Sequence, residues 1–319
     1  MNTNDNKKPL SDDEIRKKVA RLRKAKAVSR PIAWAFSVLA ALIYLWEVKS
    51  QYQTGIGVLL VLIVSILVIL FLCLASYLGY QDIIRAFVSK SLVPELLREK
   101  FTNFIYNAKK GVNWKLVKSV NMLDDFSYSR CQNHFIGLYK GRKVEFSDVW
   151  LYTPSVSLSG GGGHRTTLFR GPWMTFDYGV QVPTRVKIRG RTGNFAIAPS
   201  NVITPNAAFN ARFQVTADNP HLAYALLTPQ FIERIMKFGG RTRMCFEPGR
   251  VHFAFNTNRD SRDECGKDSG RYIFEVTGEE WEMADLDGLR DKFRQEIRYL
   301  TDIIDIICEG DGYQTRYSE

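Results

Sequence analysis

The chain has 319 residues, 45% of them hydrophobic and 24% charged, which is room for one or two domains with cores of their own and too apolar for a disordered tail. Lys and Arg outnumber Asp and Glu by 44 to 33, a net +11, and such an excess speaks of partners and solubility rather than of fold. Five cysteines (Cys73, Cys131, Cys245, Cys265, Cys308) are odd in number and widely spaced, with no CxxC pair. That excludes a disulfide framework or a zinc knuckle and fits a reducing compartment.

Residues 1–30 hold ten basic side chains against four acidic ones, so more than half of the cationic excess sits in the first tenth of the chain. Within them "SDDEIRKKVARLRKAKA" opens with Ser11 and Glu14 at capping-box spacing and repeats Ile15, Val19 and Leu22 at helical spacing. The segment reads as a basic amphipathic helix whose Arg16, Lys17, Arg21 and Lys24 can contact anionic lipid headgroups; a topology signal on a solvated helix accounts for it equally well.

Two hydrophobic stretches follow. "PIAWAFSVLAALIYLWEV" (Pro31 to Val48) begins at a proline suited to a first helical turn and carries Trp34, Tyr44 and Trp46 near its ends. "GIGVLLVLIVSILVILFLCLASYLG" (Gly55 to Gly79) is 25 residues without a charge, longer as a helix than a hydrocarbon core of about 30 Å requires. The expectation is a two-span transmembrane hairpin over 31–80, with spans at about 31–48 and 55–79. A long basic lead and the lack of a small-x-small site argue against a cleaved signal peptide. The basic cluster before the first span, with Arg85, Lys90 and Arg98 after the second, places both termini in the cytoplasm by the positive-inside rule, at a cell inner membrane.

Residues 81–129 read as a helical connector. Its clearest part is "PELLREKFTNFIYNAKK", with Leu97, Phe101, Phe104 and Ala108 on one face and Gly111 as stop. From about residue 130 the period becomes strand-like: "FIGLY", "KVEFSDVWLYT", "TLFRGPWMTFDYG", "RVKIRG" and "NARFQVTAD" are separated by Gly, Pro, Ser and Asn clusters. "NPHLAYALLTPQFIERIMKF" reads as helix with a break before Pro229. "TRMCFEPGRVHFAFNT" reads as a hairpin about Pro248 and Gly249, pairing Glu247 with Arg250, Phe246 with Val251, Cys245 with His252 and Met244 with Phe253; a longer loop is the alternative, since Pro-Gly is not a primed turn. Residues 258–270 form a polar loop, and "RYIFEV" a strand. A final helix repeats Leu286, Leu289, Phe293, Ile297, Leu300, Ile304 and Ile307 up to Gly310, a core-facing stripe in preference to a coiled-coil seam. Residues 311–319 are a tail.

Little in the chain points to chemistry. The four glycines at 160–163, before His164 and Arg165, are not followed by Gly-Lys-Ser/Thr or by a helix, as phosphate loops require, so they read as a connector between two strands. No HExxH, CxxC or GxSxG occurs. Cys131 and His134, three apart on a strand, should face opposite ways, whereas Cys245 and His252 should share a face without a third ligand. Accordingly no catalytic, cofactor or metal residue is assigned. "TRVKIRGR" at 184–191 alternates bases along a strand, which a half-exposed strand does without any nucleic acid.

"GLYKGRKVEFSDVWL", "TLFRGPWMTFDYG", "FNARFQVTADNPHLAYALLTPQFIERIMKF" and the Met244 to Phe255 hairpin resemble a family of bacterial membrane proteins, domain-of-unknown-function family 3137, over roughly residues 85–308. Phe169-Arg170-Gly171 and Leu227-Thr228-Pro229 carry the likeness most clearly. The resemblance implies a transmembrane hairpin plus a cytosolic body and assigns no catalytic residue. Gln132, Asn133 and His134 stand where relatives are expected to have an acid, so a role resting on that acid does not carry over.

The reading as a whole is an α+β protein: a basic segment at 1–30, the two-span hairpin, the connector, and a mainly antiparallel β domain with packing helices over 130–310. A small sheet or barrel closed by the C-terminal helix, somewhat like pleckstrin-homology domains, is expected. Function is expected to be binding or scaffolding at the inner membrane, with membrane lipid and a protein as partners rather than nucleic acid; a membrane-anchored enzyme is the alternative.

Overall fold

The structure is a computed structural model that describes residues 13–18, 20, 21, 24, 31, 35, 38, 42, 87, 90–123, 125–155, 164–191, 199–257, 273–274 and 286–309. The chain forms two compact units, residues 1–92 with 276–283, and residues 93–275 with 284–319. In the first, residues 13–18 are helical as expected; Ile15 is fully buried, and Arg16, Lys17, Arg21 and Lys24 are exposed. Lys18 Nζ lies 5.0 Å from the Phe87 ring centroid. No helix among the described residues is long and apolar enough to cross a membrane. The expected spans at 31–48 and 55–79 lie outside the described residues, apart from Pro31, Ala35, Val38 and Leu42, which are helical. The polar loop 258–270, the glycines 160–163 and the tail 311–319 also lie outside them.

The second unit is an α+β domain built on one antiparallel sheet. Its strands are β1 (Thr102–Asn107), β2 (Tyr128–Tyr139), β3 (Arg142–Ser155), β4 (His164–Asp177), β5 (Val186–Gly190), β6 (Phe213–Ala217), β7 (Thr242–Glu247) and β8 (Arg250–Phe255). They lie in the order β1-β2-β3-β4-β8-β7-β5-β6. Because β1 and β6 end that order, the sheet is open among the described residues; of the two expected alternatives, a small sheet or a barrel, it is the sheet. The β6 edge is blunted by side chains: Ser200 Oγ accepts from Val215 N–H at 3.2 Å and Asn201 Oδ1 from Ala217 N–H at 2.9 Å, leaving fewer free groups to template another strand.

Local chemistry sets the turns. Lys140 and Gly141, at φ 48° and 78°, form the two-residue link between β2 and β3, where positive φ at both positions matches the strand twist. Pro248 and Gly249 (φ 70°) link β7 and β8 in the expected register, Glu247 to Arg250 and Cys245 to His252. The helices are α1 (Trp114–Val120), α2 (Ala207–Arg212), α3 (Pro220–Ala223), α4 (Pro229–Ile235) and α5 (Leu286–Cys308). The break before Pro229 is present, with Asn219 and Thr228 capping α3 and α4 ahead of their prolines. The connector reading is corrected. Helix covers 90–97 and stops, and Thr102–Asn107 is strand β1, since "TNFIY" suits a pleated surface and finds β2 as partner. "RYIFEV" is corrected too: Ile273 and Phe274 form a turn, with Phe274 at φ 59°.

Each sheet face has its own cover. On one, Phe231 of α4 and Phe238 just after it meet Phe246 and Phe253 at 5.2 and 5.3 Å between centroids, and α5 buries Leu289, Phe293, Ile297, Leu300 and Ile304. That burial within one chain removes the coiled-coil alternative. On the other face, α1 with Val112 and Met122 covers Val149, Leu151, Phe169, Trp173, Cys245 and Ala254.

A polar knot ties the helix face to the chain before α5. A bulge in β2 between Gln132 and Phe135 puts Asn133 at φ 56° and turns its amide inward. Asn133 Nδ2 donates to Asp148 Oδ2 at 2.7 Å and to the Ile273 carbonyl at 2.8 Å, while Asn133 Oδ1 accepts from Tyr106 Oη at 2.9 Å. Ile273 N–H donates to Asp148 Oδ1 at 2.9 Å. A buried carboxylate is tolerable only with such donors. The knot holds Phe274, fully buried, edge-on to Phe293 at 5.5 Å. Thermal unfolding of the full-length protein tests it. Phe274→Ala should cost about 3–5 kcal/mol, and Asp148→Ala about 1–3 kcal/mol by stranding the Asn133 amide and the Ile273 N–H. Unchanged melting in both variants would contradict the docking of this segment.

Candidate functional site

Pairing across the sheet lines up one row on the face that carries α1: Glu145 with Thr175, Thr175 with His252, His252 with Cys245, Cys245 with Lys187, and Lys187 with Thr216. Partners opposite one another share a face, and the face that holds this row passes from the apolar cluster under α1 to a polar half on β5, β7 and β6.

At its centre Cys245 and His252 share a face, as the hairpin register requires. The ring of His252 is 1% exposed. Trp173 Nε1 donates to Thr175 Oγ1 at 3.3 Å, and Thr175 Oγ1 lies 2.9 Å from His252 Nδ1. A ring proton on Nε2 faces Glu247 Oε2, 3.5 Å away, and leaves Nδ1 to accept from the Thr175 hydroxyl. Glu247 in turn pairs with Arg185 at 2.6 Å. A thiol, an imidazole and a carboxylate together suggest a nucleophile, but burial pushes the Cys245 thiol up to about 12, and Glu247 adds to the rise against Arg185 and Lys187. Nucleophilic attack needs the thiolate, and Cys245 is fully buried. This arrangement packs the sheet and does not activate the sulfur.

Cys131 and His134 correct the strand expectation. The bulge at Asn133 inserts an extra residue, and both side chains fall on the α1 face. Cys131 packs with the apolar cluster there, and His134 Nε2 lies 2.9 Å from Glu145 Oε1. Burial first, and then Asp148, push the Cys131 thiol up to about 11. Among the described residues no group of three or more His, Cys, Asp or Glu could hold a metal ion.

The polar half is where charge gathers. Lys187 and Arg189 alternate along β5 and so share a face, Arg185 just before the strand joins them by pairing with Glu247, and Arg243 of β7 stands directly opposite Arg189. All four are half-buried. Arg243 Nη1 donates to the carbonyls of Gly190 and Thr242, both at 3.1 Å, which fixes its guanidinium beside the strand. The side chain of Lys187, between Arg185 and Arg189, forms no ion pair or hydrogen bond among the described residues. Opposed like charges cost a sheet stability, and an anion seated on this face would offset that cost. The alternation "RVKIR" is visible in the sequence, but Arg243 joins it only through the β5–β7 register. The sequence-derived lipid contacts Arg16, Lys17, Arg21 and Lys24 belong to the other unit. The structure leaves them exposed but does not gather them around a site. The glycine run is bracketed by Ser155 and His164, which pair as the last residues of β3 and the first of β4, as a strand connector would be.

His252 makes the fold sensitive to acid. Burial lowers its pKa below the usual 6.5, against the upward pull of Glu247. The neutral ring stabilises the fold fully above the unfolded value of about 6.5. That stability is lost as the pH falls from there through the folded value, at a slope of up to about 1.4 kcal/mol per pH unit. Denaturant unfolding between pH 7.5 and 5 should therefore show a shallower pH dependence for His252→Asn, whose side-chain oxygen can still accept from Thr175. Parallel curves for the two proteins would contradict the assignment.

No curated protein matches the chain. The crystal structure of the mycobacterial trehalose monomycolate transport factor A, TtfA, is 10% identical and superimposes with a TM-score of 0.32 over 69% of this chain and 96% of that one, an overlap too low to establish a shared fold. A family model described as "Protein of unknown function (DUF3137)" matches residues 167–308, a narrower span than the sequence likeness suggested. These residues run from β4, through the basic strand β5 and the β7–β8 hairpin, to the end of α5, and over them the chain is similar to that family.

Proposed function

We propose that the protein is a binding module tethered to a membrane by its N-terminal quarter, and that it recognises an acidic protein partner through the basic face of β5 and β7. The observation that carries this reading is the set Arg185, Lys187, Arg189 and Arg243 on one face, with Arg189 and Arg243 directly opposed. The 25 uncharged residues from Gly55 to Gly79 support the tether, as does the helical Leu42, 57% exposed, an apolar side chain of the kind a lipid-facing helix presents. The basic residues on either side of the two apolar stretches favour termini and body in the cytoplasm, with Arg16, Lys17, Arg21 and Lys24 near the anionic leaflet.

Two experiments test the parts separately. In intact cells an impermeant thiol reagent should label a cysteine placed at Gln51 or Gln53 and spare one at Ser11 or Ser261; labelling at Ser261 would overturn the cytoplasmic assignment. A photo-crosslinking amino acid at Lys187 should give a discrete adduct in cells, lost when Arg189 and Arg243 are replaced by Gln, while the same group at Asp302 should give none. No adduct at Lys187 would contradict a partner on this face.

A further inference from the structure

A second surface lies on the opposite side of the same sheet, at the far ends of β2, β3 and β4, where the buried stripe of β3 ends at Asp148. Tyr128 pairs with Tyr152, Arg130 with Trp150, and Trp150 with Arg170, so these five side chains share the face that carries α5. Their rings are ordered into one row. Tyr128 stacks on Tyr152 at 5.6 Å and 14°, Tyr152 meets Trp150 at 5.0 Å, and the Arg170 guanidinium lies 5.6 Å from the Trp150 ring. Thr167 Oγ1 holds the indole by accepting from Trp150 Nε1 at 3.1 Å. Tyr128 is 54% exposed and Arg130 is exposed as well. An ordered, partly exposed row of this kind has more aromatic area than a solvated surface needs.

We infer that this row is a docking surface for the headgroup region of an anionic phospholipid bilayer. Tyr and Trp present an apolar body with a polar tip, and they partition to the level where hydrocarbon meets headgroup. The two arginines complement headgroup phosphates, which guanidinium groups bind in bidentate fashion. Single-stranded nucleic acid is the other polyanion such residues can hold, but base stacking needs free ring faces. Here Tyr128, Tyr152, Trp150 and Arg170 spend faces on one another, which leaves edges and hydroxyls for the interface. The inference rests on the tether proposed above. From Gly79, where the second apolar stretch ends, to Val93, where this unit begins, the chain reaches at most about 50 Å, so docking is intramolecular and needs little intrinsic affinity. With this row on the bilayer, the basic face of β5 and β7 points to the other side of the sheet, toward soluble partners.

The test uses the full chain in nanodiscs of phosphatidylcholine, with or without phosphatidylglycerol, doped with nitroxide-headgroup lipid. A fluorophore is attached at Ser127→Cys, an exposed position next to Tyr128, or at Lys187→Cys on the other face, or at Gln53→Cys between the apolar stretches. The expected result is strong quenching at 127 in anionic discs, weak quenching at 187, and strong quenching at 53 in every disc. Arg130→Gln should lower the docked-to-undocked ratio at 127 about fivefold. Tyr128→Ala, at an exposed site, should lower it too without a change in melting temperature. Quenching at 53 but not at 127 would overturn the docking surface and leave the tether standing, whereas no quenching at 53 would overturn both. Salt-sensitive binding of an oligothymidylate that Tyr128→Ala abolishes, with no quenching at 127, would assign the row to nucleic acid and overturn the inference.

Discussion

Everything in the larger unit depends on antiparallel pairing that carries from β1 to β6 with each strand's two faces kept distinct. Since side chains alternate, that register decides which residues become core and which become surface. On the α5 side it sets Phe146, Phe176, Phe253 and Phe246 on one face, all four buried. On the α1 side it makes a gradient, apolar beneath α1 and cationic along β5. Shifting any one of β5, β7 or β8 by a single residue would turn Cys245, His252 or Lys187 to the wrong face. The register is pinned by two-residue turns at Lys140-Gly141 and Pro248-Gly249, by the bulge at Asn133, and by Gly171 and Gly190. A Cβ at Gly171 would come within 2.1 Å of the Phe255 carbonyl oxygen, and one at Gly190 within 2.2 Å of that of Gly240.

Charge is handled differently in the two halves. Asp148 is taken fully out of water and supplied with an amide and a backbone N–H, so it acts as a structural anchor. The row at His252 is likewise enclosed, with a neutral ring between Thr175 and Glu247. On β5, by contrast, cations are held half-buried at fixed spacing with a like charge opposite, an arrangement that core stability does not call for. Such local conflict with packing rules is where function is most often found. The aromatic row at Tyr128 and Trp150 lies on the other side of the sheet, so a membrane and a soluble partner could be engaged together without competing.

Much of this was legible in the chain itself. Alternation located β2 to β5, the proline positions located the break between α3 and α4, and the stripe from Leu286 to Ile307 located α5. Where the reading failed, non-local contacts had decided the outcome. Leu97, Phe101 and Phe104 fit a helical period, yet 102–107 pairs with β2 because an edge position was open there. Cys131 and His134 share a face only because Asn133 adopts a left-handed conformation, and its amide is needed by Asp148, fifteen residues away. That the sheet is open among the described residues follows from β1 and β6 lying at its two ends, a strand order that local patterns do not encode. Of the basic face, "RVKIR" was in plain view, but without the β5–β7 pairing it was only a half-exposed strand. The aromatic row likewise needs three strands side by side before Tyr128, Trp150 and Arg170 become neighbours.

The central claim is that Lys187 and Arg189 of β5 are kept for binding and not for the fold. It is tested most directly by the melting temperature of the full-length protein when Lys187 and Arg189 are both replaced by Gln. Relief of the opposition between Arg189 and Arg243 should leave melting unchanged or raise it, as is common where a site trades stability for function. A fall of several degrees would show that these side chains hold the sheet together, and would contradict the account.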